Sequence, residues 1–229
     1  MIWISDLIDL IFPRHCCVCG EILSPQEKDI CVNCLYRMPK VDPIHNVEIE
    51  KVFWGKIEIE RAASYIYYHK GSPYNNLIHS LKYHNRPKVG ERFAYMAAKE
   101  LIASGFFENI DAIVPLPLSR KKERKRGYNQ CDYIAAGISK ATGIPVIKGC
   151  VERYVANETQ THKSRDERWK NVEGIFTLTK PALLDGKHIL LVDDIMTTGA
   201  TLSSCAATIQ NGCCCRTSIF TLGYSANII

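Results

Sequence analysis

The stretch HILLVDDIMTTGATL, residues 188–202, restricts the fold of this 229-residue chain more than any other segment. An apolar run ends on two adjacent carboxylates, Asp193 and Asp194, and passes into a short loop of Thr, Gly and Ala. Strands buried on both faces read as continuous apolar runs, and in open parallel sheets ligands bind beyond the carboxyl ends of the strands. Paired charge at the end of such a strand marks a site, because a core has no use for it.

The surrounding text supports a sheet of that kind. Apolar runs at 112–116, 144–147, 188–192 and 217–222 alternate with helical patterns at 128–141 and 200–210. This is strand, helix, strand, helix, which predicts an α/β fold with a mostly parallel sheet flanked by helices. Upstream, SPYNNLIHSLKYH and PKVGERFAYMAAKELIASG carry helical periodicity, the second ending at Gly105. The segment VEIEKVFWGKIEIERAASYIYYH alternates and is rich in β-branched and aromatic residues, so one or two antiparallel strands are expected there. There is no internal repeat and no low-complexity segment.

The amino-terminal part is of another kind. HCCVCGEILSPQEKDICVNCL holds two Cys-x-x-Cys pairs, Cys16 with Cys19 and Cys31 with Cys34. Each pair can put two thiolates on one tetrahedral ion, and Gly20, Ser24 and Pro25 let the chain double back. A redox Cys-x-x-Cys normally comes singly, so two pairs this close predict a structural zinc ribbon with a closed site of four thiolates. Cys17 and His15 remain possible alternates. The run Cys213, Cys214 and Cys215 sits in an apolar stretch with strand character and reads as buried strand cysteines. The expected division is 1–45 for an N-terminal helix and the ribbon, and 46–229 for the α/β domain.

Eleven cysteines without an export signal point to a reducing compartment, so a cytoplasmic protein is expected. MIWISDLIDLIF is apolar but carries Asp6 and Asp9, lacks a basic start and is too short to cross a bilayer, which predicts a short amphipathic helix and no membrane insertion. The net charge of +5 suits anionic ligands without arguing by itself for nucleic acid.

A loop of small residues at a strand's carboxyl end can aim backbone N–H groups and the Thr197, Thr198 and Thr201 hydroxyls at one phosphate, helped by the dipole of the helix beginning near Ala200. Gly199 permits close approach or a positive φ. Two carboxylates would repel that same phosphate, so they suit neutral hydroxyls one sugar away. A ribose 5-phosphate satisfies both, its 2- and 3-hydroxyls meeting Asp194 and Asp193. Direct metal binding by the acids and helix capping are rival readings, but neither accounts for Thr-Thr-Gly-Ala-Thr as well.

ILLVDDIMTTGATL resembles the phosphoribosyl pyrophosphate (PRPP) signature of type I phosphoribosyltransferases. Together with IVPLPLSRKKERKRGYNQ, TQTHKSRDERWKNVEGIF, LIHSLKYH and the cysteine pairs, it makes nearly the whole chain similar to the ComF (ComFC-type) family of competence-associated phosphoribosyltransferase proteins. The resemblance implies a type I phosphoribosyltransferase-like fold. It implies a pyrophosphate loop at Pro115, Leu116 and Pro117, with Ser119 and Arg120 as contacts, although an ordinary proline-rich turn would read the same. It also implies a flexible catalytic loop in ANETQTHKSRDERWKNV, where Lys163 or Arg165 would stabilise the leaving group; a solvated charge run is the plainer reading. Arg126 and the Gly-Tyr-Asn-Gln turn are expected to contact phosphate, with the lysines before them solvated or facing a partner.

The activity so implied is Mg2+-dependent transfer of the phosphoribosyl group from PRPP to an amine or nucleobase, with Mg2+ carried mainly by the ligand's own oxygens. The other implied role is a PRPP sensor in DNA uptake, bound to single-stranded DNA and a helicase partner, with RKKERKR tracking phosphates and Tyr128 stacking a base. The acceptor would sit under a hood near residues 53–68 and Tyr224.

Overall fold

The computed structural model describes residues 12–42, 46–83, 86–154 and 175–225. In chain order the helices are α1 (Val32–Tyr36), α2 (Asn46–Glu50), α3 (Asn75–Tyr83), α4 (Pro87–Ile102), α5 (Arg120–Arg126), α6 (Gln130–Thr142) and α7 (Ala200–Gly212). The strands are β1 (Ala62–Tyr67), β2 (Ala112–Pro115), β3 (Val151–Arg153), β4 (Phe176–Leu178), β5 (His188–Met196) and β6 (Arg216–Tyr224). The expected amphipathic helix at the start of the chain and the loop bearing Lys163, Arg165 and Arg168 lie outside the described residues.

Four strands form one parallel sheet in the order β1-β6-β5-β2. Along β5 the side chains alternate: Leu190 and Val192 enter one core with helices α3, α4 and α6, while Ile189 and Leu191 enter a second core with α7. Burial on both faces is why the strand reads as an unbroken apolar run. Continuing the alternation, Asp194 projects towards the α3 side and Asp193 towards the other. β3 and β4 form a separate antiparallel pair.

Close packing fixes the helical layer on the α3 side. Gly137 of α6 lies against α4, where a Cβ would stand 2.1 Å from the Glu91 carbonyl oxygen. Nothing larger than glycine keeps the two helices at this separation.

Both edges of the sheet are covered, as exposed parallel edges must be. Beside β2, Ile113 donates to the Pro145 carbonyl at 2.9 Å and accepts from Ile147 N–H at 2.9 Å. The run 144–147 is thus a single bridge and not the strand expected, since Pro145 has no N–H for a ladder. Beside β1, Val41 donates to Tyr65 at 2.9 Å and Tyr67 donates to Pro39 at 2.8 Å. Residues 39–41 therefore extend antiparallel along β1, tying the ribbon's exit to the sheet.

Two expectations are corrected. Across 47–69 one strand forms rather than two: residues 46–53 are helical, and Ala62–Tyr67 pairs parallel with β6, its antiparallel contact being the bridge between Lys40 and Ile66. The buried residues Ile49 and Phe53 are spaced one helical turn apart, whereas Val47 is exposed, so the period that matters is 3.6 and not 2. Second, Cys213, Cys214 and Cys215 lie in the link between α7 and β6, with Cys214 exposed, because the ladder begins only at Arg216.

Candidate functional site

The carboxyl ends of β2 and β5, the last turn of α3 and the α5–α6 connection enclose a cleft of about 570 Å³. Of the residues singled out from the sequence, Leu116, Arg126, Asp193, Asp194 and Thr201 line it. Lys82, Lys122, Lys125 and Arg153 line it too, so cations surround the two acids. Lys122 and Lys125, expected to be solvated or partner-facing, belong to the cleft wall, because three residues along a helix return to the same face.

The acids are held separately. Asp193 Oδ1 accepts from the Asp194 backbone N–H at 2.8 Å and from the Cys131 thiol at 3.3 Å. Burial, and then the charge of Asp194, push the Asp193 carboxyl up to about 7, against those hydrogen bonds and the Lys82 charge. Cys131 is itself driven well above its ordinary value, chiefly by burial and then by the two carboxylates, so its thiol stays protonated and donates. Asp194 is buried; Oδ1 pairs with Lys82 Nζ at 3.1 Å, and Oδ2 has no hydrogen-bond partner among the described residues. A buried carboxylate oxygen without a donor is costly unless a ligand supplies one.

After β5 the chain turns at Thr197 and Thr198, both exposed, and enters α7 through Gly199, whose φ is +70°. A Cβ on Gly199 would stand 2.8 Å from Val52 Cγ1 and 3.1 Å from Phe53, so the helical segment after Asn46 packs directly on this turn. Lys56 Nζ secures the Thr198 carbonyl at 3.0 Å. Ala200 opens α7 and its N–H donates to Thr198 Oγ1 at 3.4 Å, so the Thr198 hydroxyl sits at the amino end of the helix, where the dipole favours an anion.

At the β2 end, Pro115 finishes the strand and Leu116 N–H donates to the Val192 carbonyl at 2.9 Å. The sheet consumes that donor, and the flanking prolines have none, so Pro115, Leu116 and Pro117 offer no free backbone N–H to a pyrophosphate. Asn129 clasps it instead: Nδ2 donates to the Leu116 carbonyl at 3.0 Å, while Oδ1 accepts from Cys131 N–H at 3.2 Å and caps α6. Ser119 is buried at the N-cap of α5, and Arg120 turns outward to pair with Glu152 at 2.9 Å. Tyr128 is partly buried and donates to the Leu81 carbonyl at 2.6 Å, so its hydroxyl ties α3 to the α5–α6 connection.

In the hood region, the Tyr67 and Tyr224 rings lie 6.4 Å apart. Pairing of β1 with β6 sets them side by side.

A second cluster stands in the ribbon. The sulfurs of Cys16, Cys19, Cys31 and Cys34 lie within 4.8 Å of one another, placed to hold one metal ion such as zinc. Cys16 Sγ accepts from Val18 and Cys31 N–H, each at 3.4 Å, and Cys31 Sγ accepts from Cys34 N–H at 3.4 Å. Burial works against the Cys16 thiolate, but N–H groups of Cys19, Cys31 and Val18 outweigh it and bring the thiol down to about 7. Donors aimed at sulfur suit metal-bound thiolates. His15 is turned to the Gly20 carbonyl at 2.9 Å, and Cys17, pushed up to about 12 mainly by burial, packs towards the main core; neither joins the cluster.

A parallel sheet flanked by helices, with paired acids ending β5, a small-residue turn into α7 and a four-cysteine cluster ahead of it, makes this an α/β protein with an amino-terminal metal-ribbon module. The chain is 30% identical over 156 residues to the DNA utilization protein YhgH of Salmonella typhi, covering 63% of this chain and 68% of that one. It belongs to the ComF family. Competence protein F of Haemophilus influenzae is 29% identical over 196 residues, 84% of this chain and 76% of that protein. Competence protein ComFC of Bacillus subtilis is 37% identical over 111 residues, 48% of this chain and 43% of that protein. No family model matches the chain.

Among solved structures, the allosteric regulatory enzyme of purine biosynthesis overlaps 62% of this chain and 30% of its own at TM-score 0.41 and 19% identity. Adenine phosphoribosyltransferase from Saccharomyces cerevisiae overlaps 57% and 68% at TM-score 0.36 and 15% identity. Among the described residues no helix is long and apolar enough to cross a membrane.

Proposed function

We propose that this protein binds PRPP and transfers its phosphoribosyl group to an amine or nucleobase, releasing pyrophosphate. The observation that carries this reading is the pair of a half-buried Asp193 and a buried Asp194 at the rim of a cation-lined cleft, next to a small-residue turn that opens a helix. Thr197, Thr198, Gly199, Ala200 and Thr201 take the 5-phosphate on N–H and hydroxyl donors. Asp194, with Oδ2 unpartnered, accepts the 2-hydroxyl, and Asp193 the 3-hydroxyl. Lys122, Lys125 and Arg126 face the pyrophosphate.

In the reaction the bond from the anomeric carbon to the pyrophosphate oxygen breaks, a bond to the acceptor nitrogen forms, and the nitrogen's proton is lost to solvent. Positive side chains fixed beforehand favour the charge that builds on the departing group, with Lys163 or Arg165 added from the loop. The four cysteines form the one cluster among the described residues able to cage a metal, so Mg2+ would be held by ligand oxygens and water, with the Asp193 and Asp194 carboxylates nearby. Bound there, it would neutralise charge on the pyrophosphate. We assign Zn2+ to the cysteine cluster, residues 1–45 to an amino-terminal module, 46–229 to the transferase domain, and the protein to the cytoplasm.

Phosphorus NMR of PRPP with Mg2+ and pooled nucleobases and amines tests this. Protein-dependent growth of free pyrophosphate, lost in Asp194→Asn with zinc content unchanged, is the expected result. PRPP signals unaffected by the protein would overturn it.

A second reading is favoured by α5, which carries six cations and buries none of its residues. The relatives' names, DNA utilization and competence proteins, suit a PRPP-binding accessory that holds single-stranded DNA beside a helicase. Binding of single-stranded DNA that weakens steeply with salt and falls at least about tenfold on replacing Lys121, Lys122 and Lys125 is the expected outcome. Absence of binding at low salt counts decisively against it.

A further inference from the structure

We propose that Lys82 is a positioning residue of the ligand cleft: it fixes Asp194 so that the free carboxylate oxygen is presented to a ligand hydroxyl, and so gives the site its preference for a ribose over a deoxyribose. This rests on the ribose reading of the site.

Lys82 comes from α3, far from β5 in sequence, and its Nζ stands 3.1 Å from Asp194 Oδ1. The lysine side chain retains 23% of its exposure and the aspartate 6%, so this pair is largely withdrawn from water. Held by one oxygen, the carboxylate cannot rotate freely, and Oδ2 remains buried without a donor.

The lysine is itself held at its base. Leu77, Ile78 and Leu81 anchor α3 in the core, and Tyr128 Oη grips the Leu81 carbonyl at 2.6 Å. Gly90 of α4 lets that helix approach so closely that a Cβ there would stand 2.7 Å from Leu81 Cδ2. Lys82 therefore reaches Asp194 from a fixed platform.

Asp193 is oriented independently, by Cys131 and by the Asp194 backbone N–H. Loss of Lys82 would accordingly free Asp194 alone, and the 2-hydroxyl contact with it, while phosphate recognition at the turn after β5 stays intact. A site that hydrogen-bonds a hydroxyl rejects an analogue lacking it, because its own buried group is then left unpaired.

Calorimetric titration of the zinc-loaded full chain with ribose 5-phosphate, 2-deoxyribose 5-phosphate and inorganic phosphate tests this. Wild type should prefer ribose 5-phosphate over the deoxy sugar by about tenfold or more. In Lys82→Met the preference should shrink below about threefold with inorganic phosphate binding unchanged, and Lys82→Arg, which keeps charge and reach, should restore it. If melting shows Lys82→Met unfolded, Lys82→Gln, too short to reach Asp194, is judged by the same criterion. Wild type that binds neither sugar phosphate, or both equally, sinks the ribose reading and this proposal with it. Wild type that discriminates, beside a lysine variant that discriminates as well, overturns the role of Lys82 alone.

Discussion

Asp193 carries the most informative balance of forces at the level of single residues. Its folded pKa of about 7 lies above the ordinary carboxylate value, so the folded state holds the proton more tightly than the unfolded chain. The stability this contributes is fully present below the unfolded value, about 4, and is lost as pH rises through about 7. Asp193→Asn should therefore melt about 2–4 °C above wild type at pH 8, a gain of about 1 kcal/mol, with the gap closing below pH 5. Thermal melts at both pH values check this, and a variant less stable than wild type at pH 8 contradicts it. Two adjacent acids were legible in the sequence as a site. Their separate tethers were not, since Cys131 and Lys82 approach from different helices and neither lies in the motif.

Among the elements, the turn from β5 into α7 is the most constrained. Gly199 has φ +70° and no room for a methyl group against Val52 and Phe53. Gly199→Ala should cost roughly 1–2 kcal/mol in backbone strain alone and push the turn away from Val52 and Phe53. A melting temperature several degrees lower, with phosphate affinity reduced about tenfold or more by titration, is expected; unchanged values in both would show that the turn is not built around glycine. The glycine was legible, and so were the helices α3, α4, α6 and α7, because their apolar periodicity is local. The segment 46–53 reads as a strand because short alternating runs fit both periods, and burial of Ile49 and Phe53 on one helical face decides for the helix. RKKERKR likewise could not disclose which cations face the cleft until it was seen as α5.

In the whole molecule, the cysteine cluster is joined to the sheet. Arg92 of α4 pairs with Asp29, Tyr74 Oη donates to the Cys34 carbonyl at 2.8 Å, and Asn76 Nδ2 donates to the Val18 carbonyl at 3.3 Å. Residues 39–41 then cover the edge of β1. Metal loss should loosen the ribbon and expose that edge as well. A strong chelator is expected to release one zinc per chain, measured by elemental analysis, and to lower the melting temperature by about 5 °C or more. A chain that loses zinc without a change in melting would show that the cluster and the sheet are energetically separate.

The sequence alone determined what is local: two cysteine pairs spaced for one ion, an α/β alternation, and a strand that ends on paired acids before a small-residue turn. These follow from chain geometry within one or two turns, and neighbouring residues suffice to specify them. The tertiary structure decided what those acids meet. Packing of α3 and α6 around the carboxyl end of β5 brings Lys82 to Asp194 and Cys131 to Asp193, leaving one buried oxygen open to the cleft. Such pairings depend on which face of a strand each side chain takes and on how closely distant helices approach, and neither is written in any one segment.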